Sequence, residues 1–354
     1  MKLFPTLTAG ALALAISSPA FAAEVEWKMT AAIGEGSFLY QNFMERFADN
    51  VGMITQDRVN IQPFGAGVLA PAFKAYEAVQ DGIVEAGHST PSYLVNQDPT
   101  NAIFASFPGG MSPEATLHWV YEGGGEKLLQ DFRRDDMGLH SLVVGIGTSE
   151  IMAHSNVKIQ TVADLKGVKY RTSGAFAAVL QEEFGGVPTV VPGSEIYTLL
   201  QRKGVDAIEW STPGANITEG FHEVAPYMIM PGVHQPSFLW EVFVKQETWD
   251  ALPEDLQNLI TAAAKLSTYE SFTRFGDSDI RAMTEFRKSK VEIVLMEHAE
   301  SEKIREAGRS WARAKAATLA EAGNPRMQEI LGSYLGYQSN WAENSNYLVR
   351  DSAE

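Results

Sequence analysis

Hydrophobic and polar residues alternate over residues 24–32 (EVEWKMTAA), the period of a half-buried strand. After Glu35-Gly36-Ser37 the period changes. Phe38, Phe43 and Phe47 recur on related turns, which predicts a helix over residues 38–51. Residues 59–63 read as a strand, 70–80 as a helix and 83–88 as a strand. This β-α-β-α-β rhythm is that of an α/β domain with a mostly parallel sheet. Residues 113–132 predict a longer helix with proline in its first turn. Residues 139–147 are apolar and β-branched enough for a buried crossing strand.

A second α/β set follows. It holds a helical turn (162–165), a strand (168–171), a helix (175–184), a strand (189–191), a helix (194–203) and a strand (205–210). Residues 238–244 read as a strand returning to the first domain. Residues 253–288 are nearly unbroken helix formers with Gly276 as a possible kink. A strand (291–296) and helices over 300–322 and 325–348 complete the chain. The two α/β lobes exchange strands through several connections, which predicts a cleft between them.

The first 22 residues are of another kind. Lys2, the apolar stretch 7–16, the Ser17-Ser18-Pro19 break and Ala20-Phe21-Ala22 form a secretory signal peptide pattern. The apolar stretch is too short to span a bilayer. The expected product is an exported, periplasmic chain beginning near Ala23. Lys and Arg number 28 against 44 Asp and Glu, a formal net charge of −16. That balance argues against nucleic acid and against anionic lipid as partners. The chain has no cysteine, which excludes disulfides, thiolate zinc sites and a cysteine nucleophile.

Motifs for catalysis are sparse. There is no G-x-S-x-G elbow, and Gly123-Gly124-Gly125-Glu126-Lys127 lacks the Walker spacing. Gly145-Ile146-Gly147 reads as turn or helix-junction glycines. No H-E-x-x-H or EF-hand pattern occurs, although a hard cation needs only dispersed oxygens. Two stretches are informative. Residues 204–210 (GVDAIEW) form an apolar strand ending in Glu209 and Trp210, and ligands of α/β sheets bind beyond the carboxyl ends of strands. A rim glutamate and a core tryptophan fit equally well. Residues 167–174 (GVKYRTSG) place Arg171 at a strand end, suited to a carboxylate or simply exposed.

The stretch 163–174, ADLKGVKYRTSG, resembles the "DLKGxKxR" signature of the solute-binding proteins of tripartite ATP-independent periplasmic (TRAP) transporters, with Arg171 on the family's carboxylate-binding arginine. Residues 98–104 (DPTNAIF), 107–111 (FPGGM), 119–125 (WVYEGGG), Glu209-Trp210 and 231–236 (PGVHQP) resemble the subgroup that binds 2-oxo acids and lactate. The resemblance implies a two-lobed α/β fold of the periplasmic-binding-protein type II kind, with a long spine helix and C-terminal helices. Lobe 1 would span 23–147, completed by strands near 238–245 and 291–296. Lobe 2 would span 148–237, and 253–354 would hold the spine and the last helices.

The resemblance also implies a receptor, not an enzyme, that holds a pyruvate- or lactate-like acid with a bound cation and delivers it to a membrane permease. Its metal ligands would be Glu150, Glu209, the Trp210 carbonyl and Gln235. Two positions depart from the subgroup's pattern: Glu150 stands where Gln is typical, and Gln235 where Glu is typical. A one-residue shift would put Ser149 in place of Glu150. The changes offset, so Glu150, Glu209 and Arg171 leave a formal charge of −1. That count favours Ca²⁺ over Na⁺, because unbalanced buried charge is costly.

Arg171 is expected to grip the carboxylate as a fork, with Tyr93 either donating from the other lobe or packing at the rim. Phe107 and Trp210 are expected to wall the substrate's tail, and Trp119 and Trp240 to be core. His234 is the one histidine expected near the site; His154, His222 and His298 read as surface or hydrogen-bonded. Trp311, Tyr334, Tyr337 and Trp341 read as a local core or as a homodimer face of C-terminal helices. The rival readings are a larger carboxylate ligand (a sugar acid or aromatic acid) and a secreted hydrolase using Glu150 and Glu209.

Overall fold

Two sheets divide the chain in the computed structural model, which describes residues 23–345. The expected signal peptide and the end of the expected last helix lie outside the described residues. The strands are β1 (Val25–Ala31), β2 (Val59–Phe64), β3 (Ala86–Ser89), β4 (Leu139–Gly147), β5 (Ala153–Ser155), β6 (Lys169–Arg171), β7 (Val187–Thr189), β8 (Ala207–Ile208), β9 (Tyr227–Met230), β10 (Phe238–Lys245) and β11 (Glu292–Leu295). The first sheet runs β2-β1-β3-β10-β4 and the second β11-β9-β5-β8-β6-β7. β1 pairs in parallel with β2 and β3, while β10 returns antiparallel between β3 and β4. Both β4 and β10 are buried almost throughout: β10 lies inside the sheet, and β4 ends it beneath the long helix Glu254–Lys288, whose Thr268 Oγ1 donates to the Val143 carbonyl at 3.1 Å.

One expected strand sits in the other lobe. β11 pairs in parallel with β9 and so completes the second sheet, not the first. The reason lies in the helix before it. Glu254–Lys288 runs unbroken through Gly276 for 35 residues, long enough to start on one lobe and end on the other. Its Phe275 stacks on Phe43 of the first lobe at 4.9 Å, and its Phe286 packs with Ile151 and Met228 of the second. The chain therefore leaves the spine beside the open edge of β9.

Other boundaries also differ. The helix expected over 113–132 is two, Pro113–Tyr121 and Gly125–Met137, because Gly124 takes φ +86° between them. The first expected helix begins with a π-helical turn, Tyr40–Glu45, before Arg46–Thr55. The expected strand 205–210 is reduced to Ala207–Ile208; Glu209 N still donates to the Arg171 carbonyl at 3.0 Å, and Trp210 lies beyond the ladder. Gly145 and Gly147 are not turn glycines. They lie within β4, where a Cβ would come within 2.1 Å of the Phe43 ring and 1.9 Å of the Phe238 ring.

Two short segments join the lobes, one between β4 and β5 and one between β9 and β10. They lie against each other: Glu150 N donates to Gln235 O at 3.3 Å, and a Cβ on Gly232 would stand 1.9 Å from the Glu150 carbonyl. Asp279 of the spine helix accepts from Thr148 Oγ1 in the first segment and from Gly214 N (2.7 Å) in the second lobe. Helix His298–Glu321 is a further bridge. Its Gly308 meets Pro108 of the first lobe, and its Glu300 accepts from Val162 N of the second at 2.9 Å. Trp311 and Tyr334 are buried, with Tyr337 and Trp341 packed on the same core.

Candidate ligand-binding site

The two lobe-joining segments, the ends of β6 and β8 and the turn after β3 converge on one narrow cavity. Thr90, Ser92, Tyr93 and Trp240 line it from the first lobe, and Arg171, Ser173, Glu209, Trp210 and Ser211 from the second. Glu150 and Gln235 come from the joining segments. The free space in the cavity is small, room for one or two waters.

Arg171 ends β6 and is fully buried. Its Nη1 donates to both the carbonyl oxygen and the carboxylate Oε1 of Glu209, each at 2.8 Å. Its Nε (3.2 Å) and Nη2 (2.9 Å) donate to the Val191 carbonyl. Four of the guanidinium's five N–H groups are thus engaged within the protein. The two-armed fork expected from the sequence is not free in this conformation, and a single Nη2 donor remains. The Trp210 indole lies over the guanidinium, 5.6 Å from ring centre to Cζ, and its far edge rests on Gly193, where a Cβ would meet the ring at 2.2 Å.

Glu209 Oε1 also accepts from Ser173 N at 3.0 Å. Glu150 faces it. Oxygens of the two carboxylates and a ring nitrogen of His234 all lie within 4.8 Å of one another. His234 Nε2 stands 3.2 Å from Glu150 Oε2, and Gln235 Nε2 donates to Glu150 Oε1 at 3.4 Å. Ser149 turns away, its Oγ 3.5 Å from the Gly232 carbonyl.

Burial sets the electrostatics. It raises Glu150 from 4.5 to about 8, opposed by a hydrogen bond with Glu209 and by the Arg171 charge. It raises Glu209 to about 8, with Arg171 opposing and Glu150 adding to the rise. The same burial lowers His234 to about 4, so its imidazole is neutral. One guanidinium does not balance two carboxylates in so dry a place. An oxygen-seeking cation would supply the missing charge, and the carboxylate oxygens fit it. Gln235 would have to turn its amide oxygen inward, since its nitrogen now faces Glu150.

Besides the Arg171 fork, the placements of Phe107 and His154 change, and that of Trp240 is extended. Phe107 does not line the cavity; it is buried against Tyr334 at 5.5 Å, in the core that the C-terminal helices close. The Phe-Pro-Gly-Gly run turns there because Gly109 takes φ +82° under the Arg305 carbonyl, which carries the ring away from the cleft. Trp240, expected as core, is buried and also floors the cavity. His154 is neither exposed nor hydrogen-bonded, but lies among the rings of Phe221 and Phe286. Sequence reading missed Thr90, Ser92, Ser173 and Ser211. Small hydroxyl residues carry no spacing signal, and only the fold gathers them.

Residues 29–318 match the bacterial extracellular solute-binding protein family 7, or DctP. The chain belongs to this family. It is a TRAP-type solute receptor, and the two-sheet fold is the one its solved relatives share. A TRAP periplasmic solute-binding protein from Pseudoalteromonas atlantica, solved with bound sodium and pyruvate, is 27% identical with TM-score 0.84, over 91% of this chain and 96% of that one. One from Colwellia psychrerythraea, solved with bound calcium and pyruvate, is 27% identical with TM-score 0.84, over 91% and 97%. The monocarboxylate 2-oxoacid-binding periplasmic protein of Nostoc sp. is 29% identical over 73% of this chain and 71% of that one.

Proposed function

We propose that this receptor closes around a small 2-oxo or 2-hydroxy monocarboxylate together with a divalent cation in the periplasm, and hands it to a TRAP permease. The observation that carries the reading is the cavity's composition: one partly free guanidinium beside two buried carboxylates that lack a balancing charge. Arg171 and the first-lobe hydroxyls would hold the acid's carboxylate. Glu150, Glu209, Gln235 turned over, and the Trp210 carbonyl would hold the cation, whose role is to bind the acid's 2-oxygen and one carboxylate oxygen. In this conformation the cavity is smaller than pyruvate with a cation, so the lobes part for any ligand, and a pyruvate-sized acid needs them to part least. Calcium is favoured over sodium by the charge count. The named binding partners of the similar proteins, pyruvate with sodium and pyruvate with calcium, support the acid and leave both cations in play.

The test is thermal unfolding of cation-stripped protein with pyruvate or lactate, each with Ca²⁺, Na⁺ or neither. An acid at about 100 times its Kd stabilises by roughly 2.7 kcal/mol, a rise of a few degrees for a chain of this size. A rise that requires acid and Ca²⁺ together is expected. A rise with Na⁺ alone would reject calcium, and no rise with either acid would reject the ligand class.

A further inference from the structure

The ligand's carboxylate has two oxygens, and Arg171 has one free N–H to offer. A second donor is required, and the first lobe faces the cavity with hydroxyl side chains that include Tyr93, already engaged with the Arg171 charge, and Ser92 beside it. Ser92 lies in the turn Pro91–Leu94 after β3, is 6% exposed and lines the cavity. Its Oγ is buried without any hydrogen-bond partner. A hydroxyl in that state costs free energy unless something completes it.

The surroundings of Ser92 select an anion. It stands where the amino end of helix Gly174–Phe184 reaches the cleft, its Oγ 3.3 Å from where a Cβ on Gly174 would be. That helix has 11 residues, and its N-cap residue Ser173 makes no side-chain capping bond. Its first-turn N–H groups carry partial positive charge toward the same corner of the cavity. Ser173 itself lines the cavity and gives its backbone N–H to Glu209.

We propose that Ser92 is a ligand-binding residue: its hydroxyl donates to the carboxylate oxygen that Arg171 does not hold, at the uncapped amino end of helix Gly174–Phe184. The assignment rests on the acid-binding function above and extends it. The carboxylate then joins the lobes directly, with Arg171 on one side of the cleft and Ser92 on the other. An ester or amide keeps one carbonyl acceptor but loses the charge and the second equivalent oxygen, so it can satisfy only one of the two donors well, and this corner selects a carboxylate over either.

The experiment compares wild type with Ser92→Ala, in saturating cation, by calorimetric titration and by stopped-flow release followed through the tryptophans that line the cavity. The probes are pyruvate, lactate and pyruvamide. Loss of a hydrogen bond to a charged group predicts pyruvate binding about 10- to 100-fold weaker, with release faster by a similar factor. The same variant should melt no lower than wild type without ligand, because the deleted hydroxyl has no partner to lose. A structural role for Ser92 predicts the reverse, a lower unliganded melting point, and that outcome overturns the proposal. Equal pyruvate affinity in the two proteins also overturns it and leaves the receptor function standing. Wild type that binds neither acid overturns both.

Discussion

Glu150→Gln removes one buried carboxyl at almost constant shape. Burial holds Glu150 and Glu209 at about 8 in the folded, cation-free chain, against 4.5 for an ordinary glutamate. Between those values the folded state binds more protons than the unfolded state, so stability falls as the pH rises through that window. One titrating carboxyl changes stability by about 1.4 kcal/mol per pH unit where the difference is complete. The stability of the variant relative to wild type should therefore shift in the variant's favour by roughly 3 kcal/mol between pH 5 and pH 8. About 1 kcal/mol of that should fall between pH 7 and pH 8. Comparing the two proteins cancels the buried histidines away from the site. Burial lowers His88 to about 3, His140 to about 4 and His154 to about 3, so they act in the opposite sense below pH 6.5. His234 contacts Glu150 and does not cancel, but above that pH it is neutral in both states. The assay is urea unfolding of chelator-treated protein, followed by tryptophan fluorescence. A gap that stays constant or closes from pH 7 to pH 8 would refute the reasoning. It would mean that the Glu150 charge is already balanced in the cation-free fold.

Two further substitutions separate core from site. Phe107→Ala should destabilise the chain by about 3–5 kcal/mol in urea unfolding, as an emptied core position does. Its acid affinity in calorimetry should stay within about two-fold, whereas a ring walling the ligand would lower affinity more than stability. Glu241→Gln tests the buried pair beneath β10, where Glu241 accepts from Arg133 Nη2 at 2.6 Å, from Tyr76 at 2.7 Å and from Ser141. Leaving Arg133 uncompensated should cost about 3–5 kcal/mol, and the Arg133→Met, Glu241→Leu double variant should recover most of it.

What was legible in the sequence follows from which signals are local. The strand periods of β4 and β10, and the helix formers of the spine, each lie within one stretch of chain, and the structure places those elements where the periods do. Arg171, Glu209 and Trp210 were legible because a strand end is a local feature and the family signature marks it. The partner of β11 was not, because a short apolar strand says nothing about which sheet edge it meets; the length of the preceding helix decides that. Phe107 misled for a related reason. Its motif is local, but the direction of its ring is fixed by Gly109 against Arg305, nearly 200 residues on. Ser92 and Ser173 gave no signal because their role arises only when two lobes close on one corner.

The two departures from the subgroup's pattern have a common geometric cause. Taken along the sequence, a glutamate at 150 and a glutamine at 235 are separate changes 85 residues apart. In the fold they are one change, because the two side chains face each other at 3.4 Å across adjoining segments between the lobes. Moving the carboxylate from one to the other shifts the negative charge by a single contact and keeps the total beside Arg171 and Glu209. It also changes what surrounds the charge. At 150 the carboxyl sits against a neutral imidazole and an amide N–H, neither of which supplies a balancing charge. On the proposed reading, the pair Glu150–Gln235 would be a relocated cation ligand, with His234 beside the carboxylate and the Gln235 amide turned over to the ion. Exchanging both residues together, Glu150→Gln with Gln235→Glu, should retain cation-dependent acid binding in the thermal assay, whereas Glu150→Gln alone loses it. A double exchange that binds no better than the single would show that position 150 matters for more than the charge it carries.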